Sequence, residues 1–241
     1  KDVAWSEVCC RESGLYDVYT SRGSNPYQAE GAKTIALEMT VQLPDAFDWV
    51  VVPVGGGGTL AGMWRGFLDA RNLGLIDKLP KLLGVQARYY DALVPALAKG
   101  VDDEESLRHL LDGTPTVETI LVKLNCRFPT DGLDALAAIR ESGGTVMSFG
   151  DDEALRELAR IGCCEGLFIE PSSAIVLAAI REGVSSGLIR RGQKVAAVLT
   201  GSGFRELGVL ANHLKPNNVS LANKETISSL LDRVKRDHSA Q

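Results

Sequence analysis

A run of four glycines is the part of the sequence whose residue types point most directly to chemistry. Gly55 to Gly58 follow a stretch of apolar residues that starts at Trp49, and Thr59 comes next. Glycine has no side chain to hold a ligand away and tolerates positive φ, so consecutive glycines let backbone N–H groups converge on an anion. A helix that starts directly afterwards adds the attraction of its N-terminus. The pattern predicts a phosphate-binding loop made by the backbone of Gly55, Gly56, Gly57 and Gly58, with the Thr59 hydroxyl as a further donor.

The elements around this loop predict an α/β fold. The apolar run 49–54 is typical of a buried parallel strand, and apolar residues recur at helical spacing from Leu60 to Leu68. Further strands are predicted over 81–87, 145–149, 166–170 and 194–200, with helices over 91–99, 131–142, 151–161 and 174–180. This alternation of strands and helices indicates a doubly wound, mostly parallel sheet.

The segments before the loop give weaker signals. Residues 1–13 have helical spacing, and residues 15–20 are β-prone. Asn25 and Pro26 are typical of the start of a helix, which we expect to run to about Gln42. Gly31 inside this helix costs about 1 kcal/mol relative to alanine, so we expect a packing or ligand reason for it.

A second glycine-rich turn, Thr200-Gly-Ser-Gly203, follows the last predicted strand. In open α/β sheets, ligands bind where strands end, so this turn is the second candidate for the site. The acidic residues 102–105 favour the start of a helix over a metal site, because they lack the alternating spacing of a calcium loop.

Composition excludes several classes of function. The net charge is −5, and no basic run interrupts it, which argues against a nucleic-acid partner. The longest aliphatic run, 174–180, is too short for a membrane span, and the start of the sequence does not resemble a signal peptide. The five cysteines form no C-x-x-C motif, and we expect reduced thiols in a soluble, cytoplasmic protein. No G-x-S-x-G or H-E-x-x-H motif is present and the three histidines are isolated, so the chemistry would belong to a bound cofactor.

The glycine run also satisfies a loose dinucleotide fingerprint, Gly56-x-Gly58-x-x-Ala61. That interpretation requires an acidic residue at the end of the next strand, where the sequence has Gln86-Ala-Arg88. An arginine there could meet a 2′-phosphate, so a nicotinamide-binding module stays an alternative. A Walker loop is excluded, because no Gly-Lys-Ser/Thr follows the glycines.

Four segments resemble fold-type II pyridoxal-phosphate enzymes of the tryptophan synthase beta-like superfamily, and threonine synthases in particular. They are Asn25-Pro-Tyr-Gln-Ala-Glu-Gly-Ala-Lys-Thr34, Pro53-Val-Gly-Gly-Gly-Gly-Thr59, Glu165-Gly-Leu-Phe-Ile-Glu-Pro-Ser-Ser-Ala174 and Thr200-Gly-Ser-Gly203. The resemblance implies pyridoxal 5′-phosphate as cofactor, with its phosphate on the glycine loop and the Thr200 hydroxyl against its pyridine nitrogen. It implies that Glu170, Ser172 and Ser173 shape the turn near the cofactor.

The resemblance also implies replacement or elimination on a small amino-acid substrate by a homodimer. Threonine synthase, which makes threonine and phosphate from O-phosphohomoserine and water, is favoured by the segment 25–34. Threonine or serine dehydratase and cysteate synthase share the motifs, and a non-catalytic homologue stays open.

One part of the family pattern has no counterpart in the sequence. In the family, the Schiff-base lysine lies well upstream of the glycine loop, and a small domain separates the two. Residues 2–25 are too few for such a domain, so Lys1 cannot be that lysine. Lys33 matches a family lysine that does not form the Schiff base. We therefore expect a C-terminal fragment whose catalytic lysine lies upstream of residue 1. Its expected parts are 1–20, a remnant of the small domain; 21–214, the cofactor-binding large domain; and 215–241, a polar tail with a short helix.

Overall fold

The computed structural model describes residues 2–19, 21–44 and 47–213. Its strands are β1 (Trp49–Pro53), β2 (Lys81–Ala87), β3 (Thr145–Phe149) and β4 (Val195–Ala197). Its helices are α1 (Asp2–Ser13), α2 (Pro26–Gln42), α3 (Gly58–Asn72), α4 (Leu93–Lys99), α5 (Glu104–His109), α6 (Gly132–Glu141), α7 (Asp151–Glu165), α8 (Pro171–Ser185) and α9 (Leu207–His213). Contacts divide the chain into one unit that runs to Glu206 and a second that begins at Leu207, of which α9 is the described part.

The four strands form one parallel sheet in the order β3-β2-β1-β4. Val51 of β1 is in register with Leu83 on one side and with Ala197 on the other. The chain therefore moves outward from β1 through β2 to β3 and then returns to place β4 on the free side of β1. This reversal is the switch point of a doubly wound sheet, which confirms the predicted fold class.

Helices cover both faces of the sheet. α3 and α6 pack on one face with α2 outside α3, and α8 packs on the other face with α7 outside it. Side chains of a strand alternate between faces, so Val50 and Val52 join the apolar core with Leu60 and Phe67 of α3. All five residues of β1 are buried, as expected for a parallel strand covered on both sides.

Glycines of α3 allow the close approach of α2 to this layer. A Cβ at Gly62 would lie 2.4 Å from the Cβ of Ala32, and a Cβ at Gly66 would lie 2.6 Å from the carbonyl oxygen of Lys33. A Cβ at Gly31 would meet nothing within 4 Å. The packing reason expected for Gly31 is therefore wrong, and the helix contact depends on the glycines of α3 instead.

Two helix starts confirm the sequence-based interpretation. The Asn25 side chain accepts a hydrogen bond from the Gln28 N–H (3.3 Å) at the start of α2. The Asp103 side chain accepts one from the Ser106 N–H (2.8 Å), and Glu104 and Glu105 occupy the first turn of α5. The acidic segment thus caps a helix.

Three strand predictions fail or shorten. Residues 15–19 form no strand and Thr20 lies outside the described residues; Leu15 and Val18 are exposed, so this segment lacks the neighbouring strand that β structure requires. Residues 166–170 contribute only a bridge between Ile169 and Ser202, and β4 is limited to three residues. The predicted tail and helix at 215–241 lie outside the described residues.

Candidate functional site

A cleft lies at the carboxyl ends of β1 and β4, the switch point at which the chain changes the side on which it adds strands to the sheet. Its volume is about 460 Å³, within the range of about 300–1,000 Å³ that is usual for small-molecule sites. All six residues predicted to hold a cofactor line this cleft. The lining is Tyr19, Gln28, Pro53, Gly55, Gly56, Gly57, Gly58, Thr59, Leu60, Lys123, Leu124, Asn125, Cys126, Thr130, Glu170 and Thr200.

The loop between β1 and α3 requires glycine for steric reasons. Gly57 has φ of +101° and lies at the N-cap position of α3, and a Cβ there would be 2.6 Å from the Asp131 carbonyl oxygen. A Cβ at Gly58 would be 2.7 Å from the Asp131 carboxylate, and one at Gly55 would be 3.1 Å from the Lys123 carbonyl oxygen. The backbone of Lys123 and Asp131 and the Asp131 carboxylate therefore leave no room for a side chain at these positions.

The glycine loop lines the cleft and carries backbone N–H groups without a partner. The N–H groups of Gly55, Gly56 and Gly57 make no hydrogen bond within the described part of the chain. Gly58 and Thr59 occupy the first turn of α3, where N–H groups have no partner inside the helix. Unpaired N–H groups at a helix N-terminus bind anions, so the loop has the geometry of a phosphate site.

Asp131 anchors the loop from behind. Its N–H donates to the Gly56 carbonyl (2.8 Å), and its carboxylate accepts from the Arg22 N–H (2.9 Å) and from the Ser21 hydroxyl (3.3 Å). Burial raises the pKa of the Asp131 carboxyl above its ordinary value. This residue ties the segment 21–22 to the glycine loop.

Thr200, which also lines the cleft, belongs to a network of hydroxyl groups. Ser173, which is fully buried in α8, accepts hydrogen bonds from the N–H groups of Thr200 (3.0 Å) and Gly201 (3.1 Å). The Ser173 and Thr200 hydroxyl oxygens are 3.0 Å apart. The buried Glu170 carboxyl lies 3.5 Å from each hydroxyl and packs against Gly201, where a Cβ would be 2.1 Å away. Glu170, the N-cap residue of α8, and Ser173, in the first turn of that helix, thus contact Thr200 next to the cleft.

The irregular segment 123–126 and, from another part of the chain, Tyr19 supply lining residues that the sequence did not predict. Lys123 pairs with the nearly buried Glu206 (3.1 Å) and its N–H donates to the Ser172 hydroxyl (3.2 Å). Burial raises the pKa of the Cys126 thiol and of the Tyr19 hydroxyl. No periodicity or motif marks this segment, because tertiary contacts with the glycine loop and α8 fix its position.

Other candidate groups lie away from the cleft. His109 is exposed and contacts Asp112, and His213 belongs to α9; His238 lies outside the described residues. Arg88 does not line the cleft and pairs with Glu153 (3.5 Å) at the start of α7. The dinucleotide alternative therefore loses the arginine that could have met a 2′-phosphate.

A larger groove of about 560 Å³ lies between α7 and α8, but it offers no cradle of backbone donors. Its lining is mostly apolar, with the ion pair of Glu157 and Arg181 at its edge. Within residues 2–19, 21–44 and 47–213, no cluster of three metal-binding side chains is present, and no helix is long and apolar enough to cross a membrane. The cleft at the switch point is therefore the site that the chemistry favours.

Known proteins are similar to this chain in sequence. The family described as "Pyridoxal-phosphate dependent enzyme" matches residues 9–201. The threonine synthase of Methanosarcina acetivorans is 36% identical over 201 residues, which cover 80% of this chain and 45% of that protein. The threonine synthase of Methanocaldococcus jannaschii is 33% identical over 190 residues, covering 78% of this chain and 45% of that protein. The chain thus spans about half the length of the curated relatives it matches.

Solved structures show the same fold. The processed form of threonine deaminase isoform 2 from Solanum lycopersicum has a TM-score of 0.63 at 17% identity, covering 86% of this chain and 55% of that one. A serine racemase from Dictyostelium discoideum has a TM-score of 0.53 at 25% identity, covering 73% of this chain and 50% of that one.

The cleft fits the cofactor of that family. The unpaired N–H groups of the glycine loop suit a phosphate, and the Thr200 hydroxyl in the same cleft suits a ring nitrogen. The matched region contains every residue that lines the cleft. With the fold, the site and the sequence in agreement, the chain belongs to the pyridoxal-phosphate dependent enzyme family.

Proposed function

We propose that the protein acts as a threonine synthase, which converts O-phosphohomoserine and water to threonine and phosphate. The observation that carries the proposal is the pairing of two features across one cleft, a phosphate cradle at Gly55 to Thr59 and a neutral hydroxyl at Thr200. The similarity to two threonine synthases and the segment 25–34 support this reaction over others of the family.

Different residues of the cleft bind the phosphate and the ring of the cofactor. The backbone N–H groups of the glycine loop and the Thr59 hydroxyl bind the cofactor phosphate, and the positive end of α3 adds to the attraction. Thr200 donates to the pyridine nitrogen and orients the ring. Bound pyridoxal phosphate supplies the electron sink for a carbanion on the amino-acid substrate. A neutral hydroxyl at the ring nitrogen favours replacement and elimination over transamination, as the resemblance implies.

Binding is tested with 4′-deoxypyridoxine 5′-phosphate, which keeps the ring and phosphate but lacks the aldehyde that reacts with lysine. We expect the 241-residue chain to bind it in competition with inorganic phosphate, because both occupy the glycine loop. No competition between the two would contradict the proposed site. Arg190→Ala, an exposed change outside the cleft, serves as the control and should bind normally.

The reaction is tested with the product of the complete reading frame that encodes this sequence. Phosphate release from O-phosphohomoserine, with threonine as the organic product, supports the proposal. Formation of 2-oxobutyrate from threonine, without phosphate release from O-phosphohomoserine, would indicate a dehydratase instead. The proposed homodimer is measured on the same preparation by light scattering, where a monomeric mass contradicts it.

A further inference from the structure

The hydrogen bonds between Ser173, Thr200 and Glu170 permit only one direction of donation. Ser173 Oγ can accept two hydrogen bonds and donate one. The N–H groups of Thr200 (3.0 Å) and Gly201 (3.1 Å) fill both acceptor positions. Ser173 therefore cannot also accept the proton of the Thr200 hydroxyl, although the two oxygens are 3.0 Å apart.

The proton of Ser173 has one good acceptor. Hydroxyl hydrogen bonds between oxygens span about 2.5–3.0 Å. Thr200 Oγ1 lies within that range at 3.0 Å, whereas Glu170 Oε1 lies at 3.5 Å. Ser173 thus donates to Thr200, and this bond occupies one lone pair of the threonine oxygen.

The Thr200 hydroxyl can then donate its proton to a group in the cleft. The Glu170 carboxyl is its other acceptor inside the network, again at 3.5 Å. Thr200 lines the cleft and is exposed there, so its O–H can donate to a group that enters. The order of donation runs from Ser173 to Thr200 and from Thr200 to the ligand.

We propose that Ser173 is a positioning residue that fixes Thr200 as a hydrogen-bond donor to the cofactor ring nitrogen, which keeps that nitrogen unprotonated beside the Glu170 carboxyl. The inference rests on the proposed function, because it takes the ring to lie against Thr200. Without Ser173, the Thr200 hydroxyl can turn toward Glu170 and present a lone pair to the ring. The ring nitrogen would then bind a proton more readily.

The test uses 4′-deoxypyridoxine 5′-phosphate bound to the 241-residue chain, with two readouts. For Ser173→Ala we expect affinity for this ligand to fall about 3- to 10-fold, as for the loss of one hydrogen bond, and affinity for inorganic phosphate to stay the same. Titration of the ring absorbance should also show a higher pKa for the ring nitrogen of the bound ligand in this variant. Thr200→Val should weaken the same ligand, and adding Ser173→Ala to it should have little further effect.

Ser142→Ala is the matched control, because the Ser142 hydroxyl also accepts a backbone N–H, that of Leu82 (3.2 Å), and donates to the Ile139 carbonyl (2.9 Å). Ser142 does not line the cleft, so its loss should change stability without changing either readout. Ser173→Ala with wild-type affinity and wild-type ring pKa would overturn the inference alone. Failure of the wild-type chain to bind the ligand would overturn the proposed function as well.

A measurement on the wild-type chain covers the case in which Ser173→Ala does not fold. With ring-¹⁵N-labelled ligand, the nitrogen resonance of an unprotonated, hydrogen-bonded pyridine at about neutral pH supports the order of donation. A resonance of a protonated ring refutes it, since Thr200 would then have to face the ring with a lone pair.

Discussion

Replacing Gly57 by alanine is the sharpest perturbation of the glycine loop. Gly57 has φ of +101°, and its added Cβ would lie 2.6 Å from the Asp131 carbonyl oxygen, 2.9 Å from the Asp131 carbonyl carbon and 3.2 Å from the Ala135 Cβ. Positive φ costs a residue with a Cβ about 1–2 kcal/mol, and forcing an extra methyl into a packed site costs about 1–3 kcal/mol. We expect the free energy of unfolding to fall by about 2–5 kcal/mol.

The same change should weaken phosphate binding. The carbonyl oxygen and carbon that the methyl meets are backbone atoms of Asp131, whose N–H holds the Gly56 carbonyl, so the loop must move rather than the neighbour. Loss of one N–H bond to a charged group is worth about 1.5–3 kcal/mol, which is roughly tenfold to a hundredfold in affinity.

Gly31→Ala is the matched control for this prediction. Gly31 lies inside α2, where a Cβ would meet nothing within 4 Å, so alanine should stabilise the chain by about 0.5–1 kcal/mol. Urea unfolding followed by circular dichroism gives stability, and titration with 4′-deoxypyridoxine 5′-phosphate gives affinity. A Gly57→Ala variant that matches Gly31→Ala in both measurements would refute the argument for the loop.

Three further predictions concern charged residues, two of them at the cleft or the glycine loop and one at the groove between α7 and α8. Burial raises the pKa of Asp131 above its ordinary value of 3.8, so the folded chain binds this proton more tightly than the unfolded chain. Its contribution to stability is therefore present at low pH and is lost as pH rises through the raised pKa. Urea unfolding of the wild-type chain between about pH 3 and about pH 7 should show this fall in the free energy of unfolding, and Asp131→Asn should remove it. A variant with the pH profile of the wild-type chain would contradict the assignment. Arg181→Met removes the two hydrogen bonds, of 2.8 and 3.1 Å, that the Arg181 guanidinium donates to the buried Glu157, and should lower the free energy of unfolding by about 1–3 kcal/mol. Arg160→Met removes a single contact to Glu157 at 3.4 Å and should lower it by under about 1 kcal/mol. Equal effects of the two variants would contradict the importance of the bidentate pair. Equimolar pyridoxal phosphate followed by borohydride should give no stoichiometric adduct on any lysine of the 241-residue chain, and mass spectrometry that places such an adduct on Lys123, which lines the cleft, would overturn the expected absence of a Schiff-base lysine.

The fold was predictable where a local pattern and burial agree. β2 has the bounds that its apolar run predicts, because six of its seven residues are buried in the sheet. β3 also has its predicted bounds, although it lies at the edge of the sheet and only Val146 is buried. The segment 15–19 shows the opposite case, since β-prone residues form a strand only when a neighbouring strand pairs with them. The lining residues of the segment 119–126 were not predictable, because their positions depend on contacts with the glycine loop and with Ser172 of α8.

The sequence alone determined the glycine turn between a buried strand and a helix, since consecutive glycines permit a backbone conformation that other residues rarely adopt; phosphate binding by that turn stays a prediction. It also indicated Thr200 as a partner, through its place at the end of a predicted strand. The tertiary structure decided that these two features face one cleft, because β4 pairs with β1 across the switch point although Val51 and Ala197 are far apart in the chain. It alone showed that the Ser173 hydroxyl meets the Thr200 backbone, since hydrogen bonds between distant segments depend on packing and leave no periodic signal in the sequence.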